Sequence, residues 1–133
     1  DQGTFGMKEI WIIDDDEEMA KAVTLMLKLL NCDATAFLSA RSAVQSLLNG
    51  KKPELMIVDM NMPEVSGLDL IEFLRRRSVW KNLPVIVLSS EAADTIVEEA
   101  MSAGADAYVT KPVTLEELEE ALQVAFAKHV VGN

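Results

Sequence analysis

The chain has 133 residues, enough for one domain with a single substantial core; half of them are hydrophobic and 26% charged, the balance of a folded soluble domain. A net charge of −10 argues against nucleic-acid binding, because phosphate contacts need clustered Lys and Arg. No apolar run approaches the ~20 residues of a membrane span, no secretory pattern opens the chain, and the lone Cys32 cannot close an internal disulfide, all of which points to the cytoplasm.

The first strand is expected over residues 8–13, where Ile10-Trp11-Ile12-Ile13 runs into Asp14-Asp15-Asp16. Residues 1–6 show no periodicity and precede a plausible initiator, Met7, so they read as an expression remnant or a disordered tail. In the following helix Met19, Val23, Met26, Leu27 and Leu30 share one face, and Asn31 suits a left-handed stop. Residues 33–37 read as a short second strand, preceded by Cys32 as a buried structural thiol. Ser39 caps a helix carrying Ala43, Val44, Leu47 and Leu48 inward, and Gly50 ends it.

Pro53-Glu54 leads into the third strand, residues 55–58, which ends at Asp59. A loop over residues 62–67 precedes a helix using Leu68, Ile71 and Leu74, and Arg75-Arg76-Arg77 complement the dipole at its end. Residues 84–88 are apolar throughout, as in a strand buried on both faces. Ser89 ends that strand, and Ser90 is the expected cap of a helix over residues 92–103 that stops at Gly104. The fifth strand, residues 107–109, passes through Thr110 into Lys111-Pro112. The last helix, residues 115–128, buries Leu115, Leu118, Leu122, Ala125 and Phe126 and shows Glu116, Glu117, Glu119 and Glu120 to solvent. Residues 129–133 form a tail with His129, the single histidine.

Alternating strands and helices give an α/β fold of type (βα)5, without repeats or long linkers. Right-handed crossovers with helices on both faces make a doubly wound, parallel five-stranded sheet the natural solution, one domain over residues 7–128. In such a sheet ligands bind beyond the carboxyl ends of the strands. Asp14, Asp15, Asp59, Ser89 and Lys111 all stand there. Crowded carboxylates repel and raise one another's pKa unless a cation compensates, and Mg2+ takes such hard oxygen ligands together with phosphate oxygens. Asp59 could then attack phosphorus to give an aspartyl phosphate, with Lys111 neutralising a second phosphoryl oxygen and Ser89 donating to a third.

An acidic pair after the first strand, Asp59 in Asp-Met-Asn-Met-Pro with Gly67 following, Ser89 after the fourth strand and Lys111-Pro112 after the fifth resemble the response-regulator receiver domain of two-component signalling. The resemblance implies the flavodoxin-like strand order 2-1-3-4-5. It also implies phosphoryl transfer to Asp59 from a phosphohistidine on a sensor histidine kinase or phosphotransfer protein. Asp15, Asp59 and the Asn61 backbone carbonyl would ligate Mg2+ directly, and Asp14 mainly through water. Lys111 would bind the phosphoryl group, with a cis bond to Pro112. Ser89 and Tyr108 would form a switch coupling the site to the face of the fourth helix, fifth strand and fifth helix, where a downstream target or output domain would dock. Asn61 and Glu91 would occupy positions that tune dephosphorylation.

This sequence departs from the family pattern in Ser90, where a small apolar residue is usual, and in Met60, which leaves no aromatic reporter beside the site. Two rival readings are an unphosphorylated receiver fold used only for docking, and a haloacid-dehalogenase-like phosphatase with Asp14 as nucleophile and Asp16 as acid/base. The intact acidic set argues against the first. Glu17-Glu18 and the unexplained Asp59 loop argue against the second.

Overall fold

In the computed structural model, which describes residues 5–129, five strands and five helices alternate along the chain. They are β1 (Glu9–Ile13), α1 (Glu17–Leu29), β2 (Asp33–Phe37), α2 (Ala40–Leu48), β3 (Leu55–Asp59), α3 (Gly67–Arg75), β4 (Val85–Ser89), α4 (Asp94–Ala103), β5 (Ala107–Thr110) and α5 (Leu115–Lys128). All strand pairs are parallel and the order is β2-β1-β3-β4-β5. The chain is therefore a doubly wound (βα)5 sheet of order 2-1-3-4-5.

The three central strands are apolar without interruption because both of their faces are covered. Along them side chains alternate between two cores. Ile10, Ile12, Leu55, Ile57, Ile86 and Leu88 pack under α1 and α5, through Val23, Leu27, Leu118 and Leu122. Trp11, Ile13, Met56, Val58, Val85 and Val87 pack under α2, α3 and α4, through Leu47, Leu70, Leu74 and Ala100. Each such side chain contributes about 1.5–3 kcal/mol by leaving water, so a register slip by one residue would exchange the two cores and is disfavoured.

Helix ends follow local chemistry. Asp16, Ser39, Ser66 and Thr114 cap their helices with side-chain oxygens, and Asn31 takes φ 65 after α1 as expected. The fourth helix differs. Its N-cap is Ala93, with no side-chain cap bond, and it starts at Asp94 rather than residue 92. Ser90 is therefore not the cap. The cause lies one residue earlier: Ser89 Oγ accepts the Glu91 N–H at 3.0 Å, and this tight turn delays the helix.

Arg75 does more than complement a dipole. Its Nε and Nη2 donate to the Gly104 carbonyl at 3.0 and 2.8 Å, and its Nη1 donates to the Leu83 carbonyl at 2.7 Å. Nη2 also meets Asp106 Oδ2 at 3.1 Å, an oxygen that accepts the Val85 N–H at 2.9 Å. Arg77 instead lies 3.8 Å over the Phe73 ring. At the amino end Phe5, expected in the tail, is buried with its ring centroid 6.1 Å from that of Phe126. His129, also expected in a tail, is the C-cap of α5 with Nε2 2.9 Å from Asp106 Oδ1. Residues 1–4 and 130–133, the remainder of the two expected tails, lie outside the described residues.

Candidate functional site

Strand register alone brings the acidic residues level. Ile13 pairs with Val58, so Asp14, just past β1, and Asp59, the last residue of β3, stand side by side. The sheet order reverses between these two strands, since β1 turns to β2 and β3 to β4, which makes this the switch point where open α/β sheets bind ligands. Asp59 pairs with Leu88 and Ser89 with Thr110, so Ser89 and Lys111 follow one step along the same rim. The Lys111 N–H donates to the Ser89 carbonyl at 2.8 Å, which ties the two ends together. The Lys111–Pro112 peptide is cis, as expected.

The side chains converge. Lys111 Nζ donates to Asp59 Oδ1 at 2.9 Å and lies 3.9 Å from Asp14 Oδ2. One carboxylate oxygen each from Asp14, Asp15 and Asp59 lie within 4.8 Å of one another. Asp14 and Asp59 are buried, and Asp15 is exposed at the mouth. Burial pushes the Asp14 carboxyl up to about 6; the Asp16 N–H holds it down in part, and the Asp59 charge adds to the rise. Asp59 is raised as well, first by burial and then by Asp15, against the opposing Lys111 ammonium. Burial alone would lower Lys111, but its bond to Asp59 and the charges of Asp59, Asp14 and Asp16 reverse this and raise it.

This donor set fits a hard divalent cation. Asp14 Oδ1 accepts the Asp16 N–H at 2.9 Å, whereas Asp14 Oδ2 is buried without a hydrogen-bond partner. Such an oxygen is costly unless a cation or water answers it. Asn61 lies in the exposed loop two residues past Asp59, and its backbone N–H favours the Asp59 carboxylate. Gly67 lets that loop close. A Cβ there would collide with the Asp59 carbonyl and come to 3.0 Å from Met60 Cα, and the Gly67 N–H donates to the Met60 carbonyl at 3.0 Å.

Ser89 and Tyr108 do not touch, yet one residue joins them. The Glu91 N–H donates to Ser89 Oγ at 3.0 Å, and Tyr108 Oη donates to the Glu91 carbonyl at 2.7 Å. Ser89 is wholly buried; Tyr108 is half-buried on β5, an edge strand. The backbone of Glu91 carries no signal in sequence, because any residue but proline offers the same two groups. Asp16, the acid/base of the phosphatase alternative, spends its Oδ1 on the Glu18 and Met19 N–H groups at 3.0 and 3.2 Å.

Residues 10–123 match the profile of the response regulator receiver domain family. The chain is 31% identical over 125 residues to the KDP operon transcriptional regulatory protein KdpE of Escherichia coli, covering 92% of this chain and 53% of KdpE. It is 30% identical over 120 residues to the chemotaxis protein CheY of Pseudomonas aeruginosa, covering 90% of this chain and 97% of CheY. Among solved structures, the receiver domain of Francisella response regulator 1452 superposes with a TM-score of 0.81 at 26% identity, covering 91% of this chain and 98% of that one. The chain thus spans about half the length of KdpE and nearly all of CheY. Profile, relatives and fold agree with a switch-point acidic cluster: the chain belongs to the response regulator receiver domain family of two-component systems.

Proposed function

We propose that Asp59 is a phosphoacceptor and that its phosphorylation, in a Mg2+-dependent reaction, switches the face of α4, β5 and α5 for partner binding. The observation that carries this reading is the buried Asp59 carboxylate, held at 2.9 Å by Lys111 inside the cluster with Asp14 and Asp15. An Asp59 oxygen attacks the phosphorus of a phosphohistidine on a sensor histidine kinase or phosphotransfer protein. The P–N bond breaks as the P–O bond forms, and the leaving imidazole keeps the N–P electron pair and takes a proton from water. Mg2+ held by Asp14, Asp15, Asp59 and the Asn61 carbonyl would neutralise charge on the transferring group. Lys111 supplies a second positive charge, and Ser89 Oγ, released from the Glu91 N–H, can donate to a phosphoryl oxygen. Loss of that hydrogen bond frees the Glu91 backbone at its N–H, next to the carbonyl to which Tyr108 is tied.

Within this family such chemistry belongs to the cytoplasm, and no helix among the described residues is long and apolar enough to cross a membrane. The capping of α1 by Asp16 weighs against the phosphatase alternative, since one of its two carboxylate oxygens is already engaged by the Glu18 and Met19 N–H groups. The complete set of Asp14, Asp15, Asp59, Ser89 and Lys111 weighs against an unphosphorylated docking module.

Incubation with acetyl phosphate and Mg2+, followed by intact-mass measurement, tests the proposal. One phosphoryl group is expected on the native chain and none on Asp59→Asn or in excess chelator. An adduct that survives Asp59→Asn but disappears in Asp14→Asn would transfer the nucleophile to β1 and overturn it.

A further inference from the structure

We propose that the Tyr108 face binds a lysine- or arginine-bearing segment of another protein and does not pair with a second copy of this chain. This rests on the reading of that face as the output surface and adds the chemistry of its partner. The sequence alone makes the glutamates of the last helix a solvated surface. The structure keeps two of them exposed and sets them on a groove beside β5.

A groove of about 340 Å³ runs between the edge strand β5 and α5. Tyr108, Ala121 and Val124 line it, Val124 with 41% of its surface exposed, and Glu117 and Glu120 stand on it from α5, both exposed. Helices α4 and α5 both pack on β5. Between them they carry Asp94, Glu98, Glu99, Glu116, Glu117, Glu119 and Glu120, against one cation, Lys128. Lys128 is turned away, with Nζ on the Asp106 carbonyl at 2.8 Å, before the opposite end of β5. Lys111, the other nearby cation, is held by Asp59. Among the described residues no ion pair engages Glu117 or Glu120.

Charge therefore selects the occupant. A two-fold contact sets the same patch against itself, so a second copy would bring glutamates onto glutamates with no cation in reach, and like charges across an interface cost several kcal/mol. An edge strand flanked by acids is likewise protected from pairing with its own kind. A segment that offers an apolar side chain to Val124 and Ala121, with Lys or Arg beside it for Glu117 and Glu120, meets both halves of the groove.

The test uses the full chain, untreated and phosphorylated, with a fluorescein-labelled amphipathic peptide of leucine and lysine and its leucine–glutamate counterpart. Anisotropy titrations should show binding of the lysine peptide alone, weakening as salt rises from about 50 to about 300 mM. The Glu117→Lys/Glu120→Lys double variant should lose about tenfold in affinity, equal to about 1.4 kcal/mol. The control Asp33→Lys/Glu72→Lys changes the net charge equally on exposed positions elsewhere, and it should lose less than about twofold. Sedimentation velocity should find a monomer in both states. Equal losses in the two double variants, or a dimer of the phosphorylated chain that Val124→Arg dissolves, would overturn the proposal. Intact mass separates this from the phosphoacceptor reading: absence of an adduct defeats that reading, while the peptide result on the untreated chain still decides the groove.

Discussion

Asp14 is the residue on which the site's electrostatics turn. It is fully enclosed, one oxygen is answered by a backbone N–H and the other by no hydrogen bond, and its carboxyl sits near 6 instead of 3.8. The folded chain therefore binds a proton there over a pH range in which the unfolded chain does not. Stability contributed by this group is present below the unfolded value of 3.8 and falls as pH rises through about 6. At pH 7 its charge opposes folding, and Asp14→Asn should raise stability by up to about 3 kcal/mol, the equivalent of a two-unit shift. That advantage should shrink as pH falls below about 6 and vanish only well below 3.8, where both states are protonated. Mg2+ should raise the melting temperature of the native chain more at pH 7 than at pH 5, and of Asp14→Asn less at either. Thermal melts over that range with and without Mg2+ check all of this; a destabilised Asp14→Asn at pH 7 would refute it. Gly67 belongs at the same scale. A methyl group there meets Asp59 and Met60 backbone, so Gly67→Ala should cost about 1–3 kcal/mol and slow labelling of Asp59 in a timed acetyl phosphate assay.

Among the elements, α4 is the one left without a local anchor. The other four helices begin with a capping oxygen, α3 with a full capping box between Ser66 and Asp69. Helix α4 has Ala93 as its N-cap and buries a single residue fully, Ala100. Ala93 already has the extended backbone a cap requires, φ −63 and ψ 138, so Ala93→Asp should stabilise the chain by about 0.5–2 kcal/mol. Denaturant titration measures the gain, and amide exchange should show the first turn of α4 opening faster than that of α3 in the native chain. This helix is also where sequence and structure part. The strands, the cap at Ser39 and the stops at Asn31 and Gly50 are legible because each depends on a few adjacent residues. The start of α4 is not, because Ser89 draws the Glu91 N–H into a turn, and a serine that could cap at position 90 is thereby placed outside the helix.

For the whole molecule the acidic rim was legible and the brace at the opposite end was not. Asp14, Asp59, Ser89 and Lys111 each close an apolar run, so strand periodicity and the sheet's polarity suffice to gather them. Arg75 reads as one of three arginines ending a helix. Only the folded chain brings Gly104 and Asp106 to it, 29 and 31 residues further on. Gly104 is needed because a Cβ there would fall within 2.6 Å of the Arg75 side chain. Arg75→Ala would leave the buried Asp106 without the guanidinium and the Gly104 and Leu83 carbonyls without its N–H groups, and should destabilise by about 3–5 kcal/mol. Arg75→Lys should recover little, since one ammonium cannot span the groups that the guanidinium fork reaches. Urea denaturation of both variants tests this, and a loss under about 1 kcal/mol for Arg75→Ala would remove the brace from the account.

The link between Ser89 and Tyr108 passes through the N–H and C=O of Glu91, not through its side chain, which faces solvent. A connection made of main-chain atoms is indifferent to nearly every codon at that position. Lineages can therefore vary residue 91 to suit different partners or signal lifetimes while the connection stays intact, and proline, which lacks the N–H, is the one inherited change that severs it at Ser89.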